Sequence, residues 1–249
     1  MKLVSDIYYC DTHDDSHLLD IFLPDTDNFP VLIYLHGGGL ENGNKGEATS
    51  LYHYLADNGI AVVSVNYRLY PDAKYPEHIE DCAQAVSWAF KNMSSYGNCD
   101  KFYICGTSAG AYISMMLCFN KKYFEPYGIS PTDISGYIHN GGQPTSHFNV
   151  LRERGEDTRR LIVDESAPLY YIGTSENLSP MLFVAAENDM ACRYEQLALT
   201  VKTLEHFEYD TDKIEFKILP GTHCNYIYLE PEDTEFVFGN EILHFINKY

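Results

Sequence analysis

Seven short apolar runs, at residues 18–23, 31–35, 60–65, 102–105, 134–139, 181–186 and 214–219, alternate with helical patterns along most of this chain. Helical spacing recurs at 48–58, 79–93, 108–119, 192–207 and 236–247. Such alternation buries both element types when helices cover both faces of a mainly parallel sheet. Runs that are apolar at every position, such as 181–186, fit strands buried on both sides. The first two runs have no helix between them, which predicts an antiparallel N-terminal edge. The fold class is therefore α/β. No linker, repeat or low-complexity stretch divides the 249 residues, so 1–249 reads as a single domain. Residues 142–173 fit the alternation worst. They follow a predicted strand and would overhang the C-terminal ends of the sheet, where ligands bind in open α/β sheets. They read equally as a small lid-like insertion or as a surface helix and loop.

Charge narrows the partners. With 17 Lys and Arg against 36 Asp and Glu, the formal net charge is −19, which disfavours nucleic acid and anionic membrane surfaces. Strongly anionic substrates would be repelled unless a local basic patch exists. No apolar run approaches the roughly 18 residues of a membrane span. Residues 1–10 carry no signal-peptide core, so a cytoplasmic location is expected. Seven cysteines, an odd number without a C-x-x-C pair, point to reduced thiols rather than a disulfide framework or a zinc site.

Two glycine-rich segments carry chemistry. Gly106-Thr107-Ser108-Ala109-Gly110 sits between an apolar run and a helical pattern. This is the strand–turn–helix context in which G-x-S-x-G holds a serine hydroxyl above a sheet. The pattern alone arises by chance in roughly one chain in ten of this length. His36-Gly37-Gly38-Gly39 follows the run 31–35 and is expected by chance in only ~0.002 chains. Such a loop offers backbone N–H groups to an oxyanion, together with the N–H of the residue after the serine. The candidate donors are Gly38, Gly39 and Ala109.

A serine hydroxyl needs a base, and the base needs an orienting carboxylate. In this context the chain order is Ser, then Asp or Glu, then His. His206 and His244 fall in helical patterns, His139 in a predicted strand, and His147 comes too early. His223 lies in a loop directly after the run 214–219, where it can reach over the sheet toward Ser108. Asp189 follows the run 181–186; its local rival is Glu187, and its alternative role is to cap the next helix. Asp164 and Asp212 follow no strong strand. His36 reads as a loop organiser and Cys224 as a neighbour only.

These residues resemble the α/β-hydrolase carboxylesterases with an HGGG loop, related to the hormone-sensitive-lipase group. The likeness rests on His36–Gly39, on Gly106–Gly110 and on Asn66-Tyr67-Arg68-Leu69-Tyr70-Pro71-Asp72 with Pro76 and Asp81. It implies an α/β-hydrolase fold and a serine esterase acting through Ser108, Asp189 and His223, with no cofactor and no metal. The implied partner is a small-molecule ester with a short acyl group, an acetylated or feruloylated carbohydrate included. Departures are Thr107 where that group has Asp, and Ala186-Glu187-Asn188-Asp189 in place of its D-P-L-x-D stretch. The chain looks closer to compact bacterial acetyl-, xylan- or feruloyl-esterase-like proteins. Kynurenine formamidase is a further relative, so an arylformamidase or other small-amide hydrolase is the alternative. A non-catalytic binding protein on the same fold is the third reading.

Overall fold

The computed structural model describes residues 1–175, 177–229 and 235–249. Among them, eight strands form one sheet: β1 (Lys2–Tyr8), β2 (Leu18–Leu23), β3 (Val31–Leu35), β4 (Ala61–Val65), β5 (Phe102–Thr107), β6 (Gly136–Asn140), β7 (Met181–Asn188) and β8 (Ile214–Thr222). The helices are α1 (Thr49–Asp57), α2 (Glu77–Asn92), α3 (Ala109–Phe119), α4 (Phe148–Glu153), α5 (Arg193–His206) and α6 (Val237–Lys248). The strand order is β1-β2-β4-β3-β5-β6-β7-β8. β1 and β2 pair antiparallel, as do β2 and β4, and all later pairings are parallel.

Side-chain alternation along the strands builds two cores. In β3, Val31, Ile33 and Leu35 face the layer that contains Ile79 and Val86 of α2, Ile113 and Met116 of α3, and Leu197 of α5. Leu32 and Tyr34 face the opposite layer, with Leu51 and Leu55 of α1 and Phe238 and Phe245 of α6. A strand with buried residues on both faces reads as a continuous apolar run, which is why β3, β4 and β7 stand out in the sequence.

The antiparallel edge differs in detail from the expectation. β2 and β3 are consecutive in sequence, but β4 lies between them. β1 corresponds to none of the apolar runs. It is an outer strand with mostly exposed residues, and its pairing shifts register between Val4 and Ile7. There Asp6 adopts φ 59° and its amide donates to Asp20 Oδ1. Backbone pairing, not side-chain burial, defines such a strand, so hydropathy does not find it. For the same reason β5, β7 and β8 run two or three residues beyond their apolar cores.

The sheet order reverses at β3. The chain leaves β3 toward β4 on one side, while β5 lies on the other. Loops departing in opposite directions leave a crevice at the C-terminal ends of β3 and β5. Leu35 pairs with Gly106 in register, so the glycine loop after β3 and the turn after β5 meet there.

Candidate active site

Ser108 stands between β5 and α3 with φ 54° and ψ −111°. This backbone conformation is costly for a residue with a side chain and persists only where the surroundings enforce it. The enforcement comes from close packing. A Cβ on Gly106 would lie 2.1 Å from the Gly110 carbonyl oxygen, and one on Gly110 would lie 2.0 Å from the Leu35 oxygen. The two outer glycines therefore let the start of α3 sit against β5 and the end of β3. The Ser108 amide is also held, donating to the Asn140 carbonyl at 2.7 Å.

His223 follows β8 and must cross the ends of two strands to reach Ser108. Gly141, after β6, makes room for it. A side chain there would lie 2.6 Å from Cys224 Sγ and 3.0 Å from His223 Cε1, and the residue adopts φ 63°. His223 Nε2 lies 2.9 Å from Ser108 Oγ, and Nδ1 lies 2.5 Å from Asp189 Oδ1. The Asp189 side chain is almost wholly buried. Burial opposes its ionisation. The hydrogen bonds from His223 and from the amides of Ala186 and Met190 outweigh this and hold the carboxyl below the usual range. With that carboxylate accepting at Nδ1, the free lone pair of the ring is on Nε2, facing the serine.

The other candidates lie elsewhere. Glu187 is exposed on β7. Asp164 accepts from Ser146, Ser166 and Arg154, and Asp212 belongs to a 3₁₀ turn before β8. His139 is buried within β6 against Ser114, and His147 begins α4. His206 ends α5, and His244 lies on α6.

The glycine loop lies across the crevice. Gly38 and Gly39 adopt φ 100° and 67°, values that favour glycine. Among the described residues, the amides of Gly38, Gly39 and Ala109 donate to no protein acceptor. The loop is tied from both sides. Gly37 N–H donates to Glu47 Oε2 at 2.7 Å, and the Gly39 carbonyl accepts from Asn149 Nδ2 at 3.1 Å. His36 stacks on Tyr67 with ring centroids 4.2 Å apart and bonds through Nδ1 to the Gly37 oxygen. Burial lowers its pKa to about 4, so it stays neutral and organises the loop.

Tyr34, Asn140 and Phe148 had no clear signal in the sequence. Thr107 is buried behind the serine in a chain of hydrogen bonds. Its Oγ1 meets Tyr34 Oη at 2.7 Å and Asn140 Nδ2 at 3.3 Å, and Asn140 Oδ1 accepts from Tyr226. Threonine thus links three strands at this position. Phe148 of α4 presses on the loop, since a Cβ on Gly39 would lie 3.0 Å from Phe148 Cζ. Cys224 is buried beside the His223 ring, and burial pushes its thiol pKa up, which leaves it unreactive.

Among the described residues no cluster of His, Cys, Asp or Glu has the geometry of a metal site. No described helix is long and apolar enough to cross a membrane. The crystal structure of Esterase B from Lactobacillus rhamnosis HN001 superposes with a TM-score of 0.81 at 19% identity, covering 99% of this chain and 85% of that one. The chain has the α/β-hydrolase fold. A truncated carbohydrate esterase from gut microbiota matches this chain with a TM-score of 0.80 at 18% identity, over 100% of this chain and 96% of the other. In sequence, the BD-FAE family model matches residues 19–128. Esterase LipC of Mycobacterium tuberculosis is 32% identical over 233 residues, 84% of this chain and 56% of LipC. The chain spans between 23% and 56% of the length of such curated relatives.

Proposed function

We propose that this α/β-hydrolase is a serine carboxylic ester hydrolase acting on small or short-chain acyl esters. One observation carries the reading: a continuous chain of hydrogen bonds from Ser108 through His223 to Asp189, beside three backbone amides without acceptors among the described residues. Similarity in sequence to Esterase LipC supports it.

In the proposed mechanism, Ser108 Oγ attacks the ester carbonyl while His223 Nε2 takes its proton. Asp189 holds the ring in the Nδ1–H tautomer and stabilises the imidazolium that forms. The amides of Gly38, Gly39 and Ala109 donate to the tetrahedral oxyanion; a single donor of this kind typically contributes about 3 kcal/mol to lowering the barrier. The imidazolium then protonates the leaving alkoxide as the C–O bond breaks, giving an alcohol and an acyl-Ser108. Water, deprotonated by His223, attacks the acyl carbon, and Ser108 leaves with the proton returned.

The whole chain functions as one domain in this reading. Its 142–173 segment forms a wall of the site, because α4 is bonded to the glycine loop through Asn149 and Arg152. The substrate is a small-molecule ester, and the seven free cysteines fit a reducing, cytoplasmic location.

The test is hydrolysis of p-nitrophenyl acetate and butyrate, with N-formylkynurenine as the amide comparison. Ser108→Ala should remove labelling by a fluorophosphonate probe and lower kcat by about 10⁴-fold or more, and Asp189→Asn should cost about 10⁴-fold. A folded wild-type protein that neither labels nor turns over any ester would overturn the reading.

A further inference from the structure

Arg193, the first residue of α5, is 5% exposed. A buried guanidinium normally faces a carboxylate or a set of carbonyls, because an unpaired buried charge is strongly unfavourable. Here Nε and Nη1 have no hydrogen-bond partner among the described residues. Among the same residues Nη2 meets only the Met190 sulfur, at 3.9 Å. Burial pulls the Arg193 pKa down and the nearby Asp189 charge opposes this, but the Asp189 oxygens accept from Ala186, Met190 and His223 instead.

Arg193 lines a cavity of ≈ 420 Å³ together with Gln143, Phe148, Leu161, Met190 and Gln196, with Nε and Nη1 closed off behind its wall. Two of these walls belong to the candidate site. Phe148 packs on Gly39, and Met190 follows Asp189. One turn along α5, Gln196 accepts from Thr145 through Oε1 at 2.8 Å, which leaves its NH₂ group to donate. His147 is close by and stays neutral, its pKa driven down by burial and by the charge of Arg193. Arg159, also on the rim, is committed to Asp157. Apolar walls, a guanidinium whose buried N–H groups have no partner among the described residues and an amide with its NH₂ group spare thus meet at one pocket, on a chain whose net charge is −19. A guanidinium suits a carboxylate because its N–H groups match both oxygens.

We propose that Arg193, with Gln196 beside it, receives a carboxylate carried by the ester substrate. The preferred substrate is then a half-ester or an acylated hydroxy acid rather than a wholly uncharged ester. The proposal rests on the ester-hydrolase reading for its chemistry, but not for its binding site.

Two measurements separate the two. Glutarate binding to the wild-type protein, followed by calorimetry, tests the anion site without turnover. Binding that weakens at least 10-fold in Arg193→Met is the expected result. Arg193→Lys, which keeps the charge but loses the fork, should fall between. Steady-state kinetics then compare mono-p-nitrophenyl glutarate (carboxylate on the acyl side) and 4-acetoxybutanoate (carboxylate on the alcohol side) with uncharged esters of equal length. One charged ester should be preferred at least 10-fold in kcat/KM, and Arg193→Met should abolish that ratio. Glutarate binding that is absent, or unchanged in Arg193→Met, overturns the proposal. So does an unchanged ratio while uncharged esters are still cleaved, which leaves the esterase reading standing. Arg193-dependent glutarate binding without any ester turnover keeps the anion site and removes the esterase reading.

Discussion

Glu47 and Gly37 are joined across the mouth of the crevice: Oε2 of the glutamate accepts the glycine amide at 2.7 Å. Gly37 in turn packs against the candidate nucleophile, since a Cβ there would lie 3.4 Å from Ser108 Cβ. The tether comes from the segment just before α1, so packing of α1 on the sheet reaches the loop proposed to bind the oxyanion. Burial raises the pKa of Glu47, and the hydrogen bond from Gly37 opposes that rise.

Removing the tether should loosen the donors without removing them. In Glu47→Ala, kcat/KM for p-nitrophenyl acetate is expected to fall about 10-fold, and stability by about 1–3 kcal/mol, the usual cost of losing a hydrogen bond to a charged group. Glu47→Gln keeps an acceptor oxygen and should recover most of both. Wild-type kinetics in Glu47→Ala would show that the loop holds itself.

Gly110 tests the close approach beneath the elbow. A methyl at this position would meet the Leu35 and His36 oxygens at 2.0 and 2.5 Å, both backbone atoms that cannot turn away. Gly110→Ala should therefore displace α3 from the end of β3 and destabilise the fold by about 3 kcal/mol or more, at the upper end for single substitutions. Urea unfolding of purified protein reads this directly. A midpoint within error of wild type would mean that β3 and α3 separate more easily than their contacts indicate.

Acid stability follows from buried imidazoles. Burial lowers the pKa of His36 and of His78 to about 4 and that of His139 to about 3. The unfolded chain binds protons at these residues near pH 6.5, whereas the folded protein does not until pH 3–4. The unfolded state thus holds more protons in that window, and stability falls as pH falls through it. The contribution is fully present above about pH 6.5. A single group such as His139 should account for a loss on the order of 2 kcal/mol between pH 7 and pH 5. His139→Phe should flatten the pH dependence of the urea midpoint by that amount. An unchanged slope would mean that another group carries it.

How much of this was legible in the amino-acid order depends on range. Ser108 is identifiable because its neighbours in sequence are also its neighbours in space: a strand, two glycines and a helix start within ten residues. His223 and Asp189 are identifiable because each follows an apolar strand, and parallel strands all end on the same side. Glu47, Gly141, Phe148 and Arg193 carried no such signal. Each matters through a contact with a residue distant in sequence, which no local pattern announces.

The sequence by itself determined the layered α/β architecture, the strand–turn–helix at Ser108 and the set of residues able to meet it, because burial periodicity and glycine-dependent turns are local properties. Only the tertiary structure decided that β4 comes between β2 and β3, that Thr107 joins a buried network through Tyr34, Asn140 and Tyr226, and that Arg193 is buried beside a pocket without a hydrogen-bonded acid. Those outcomes depend on strand register and on distances between separate segments. A one-dimensional pattern contains neither.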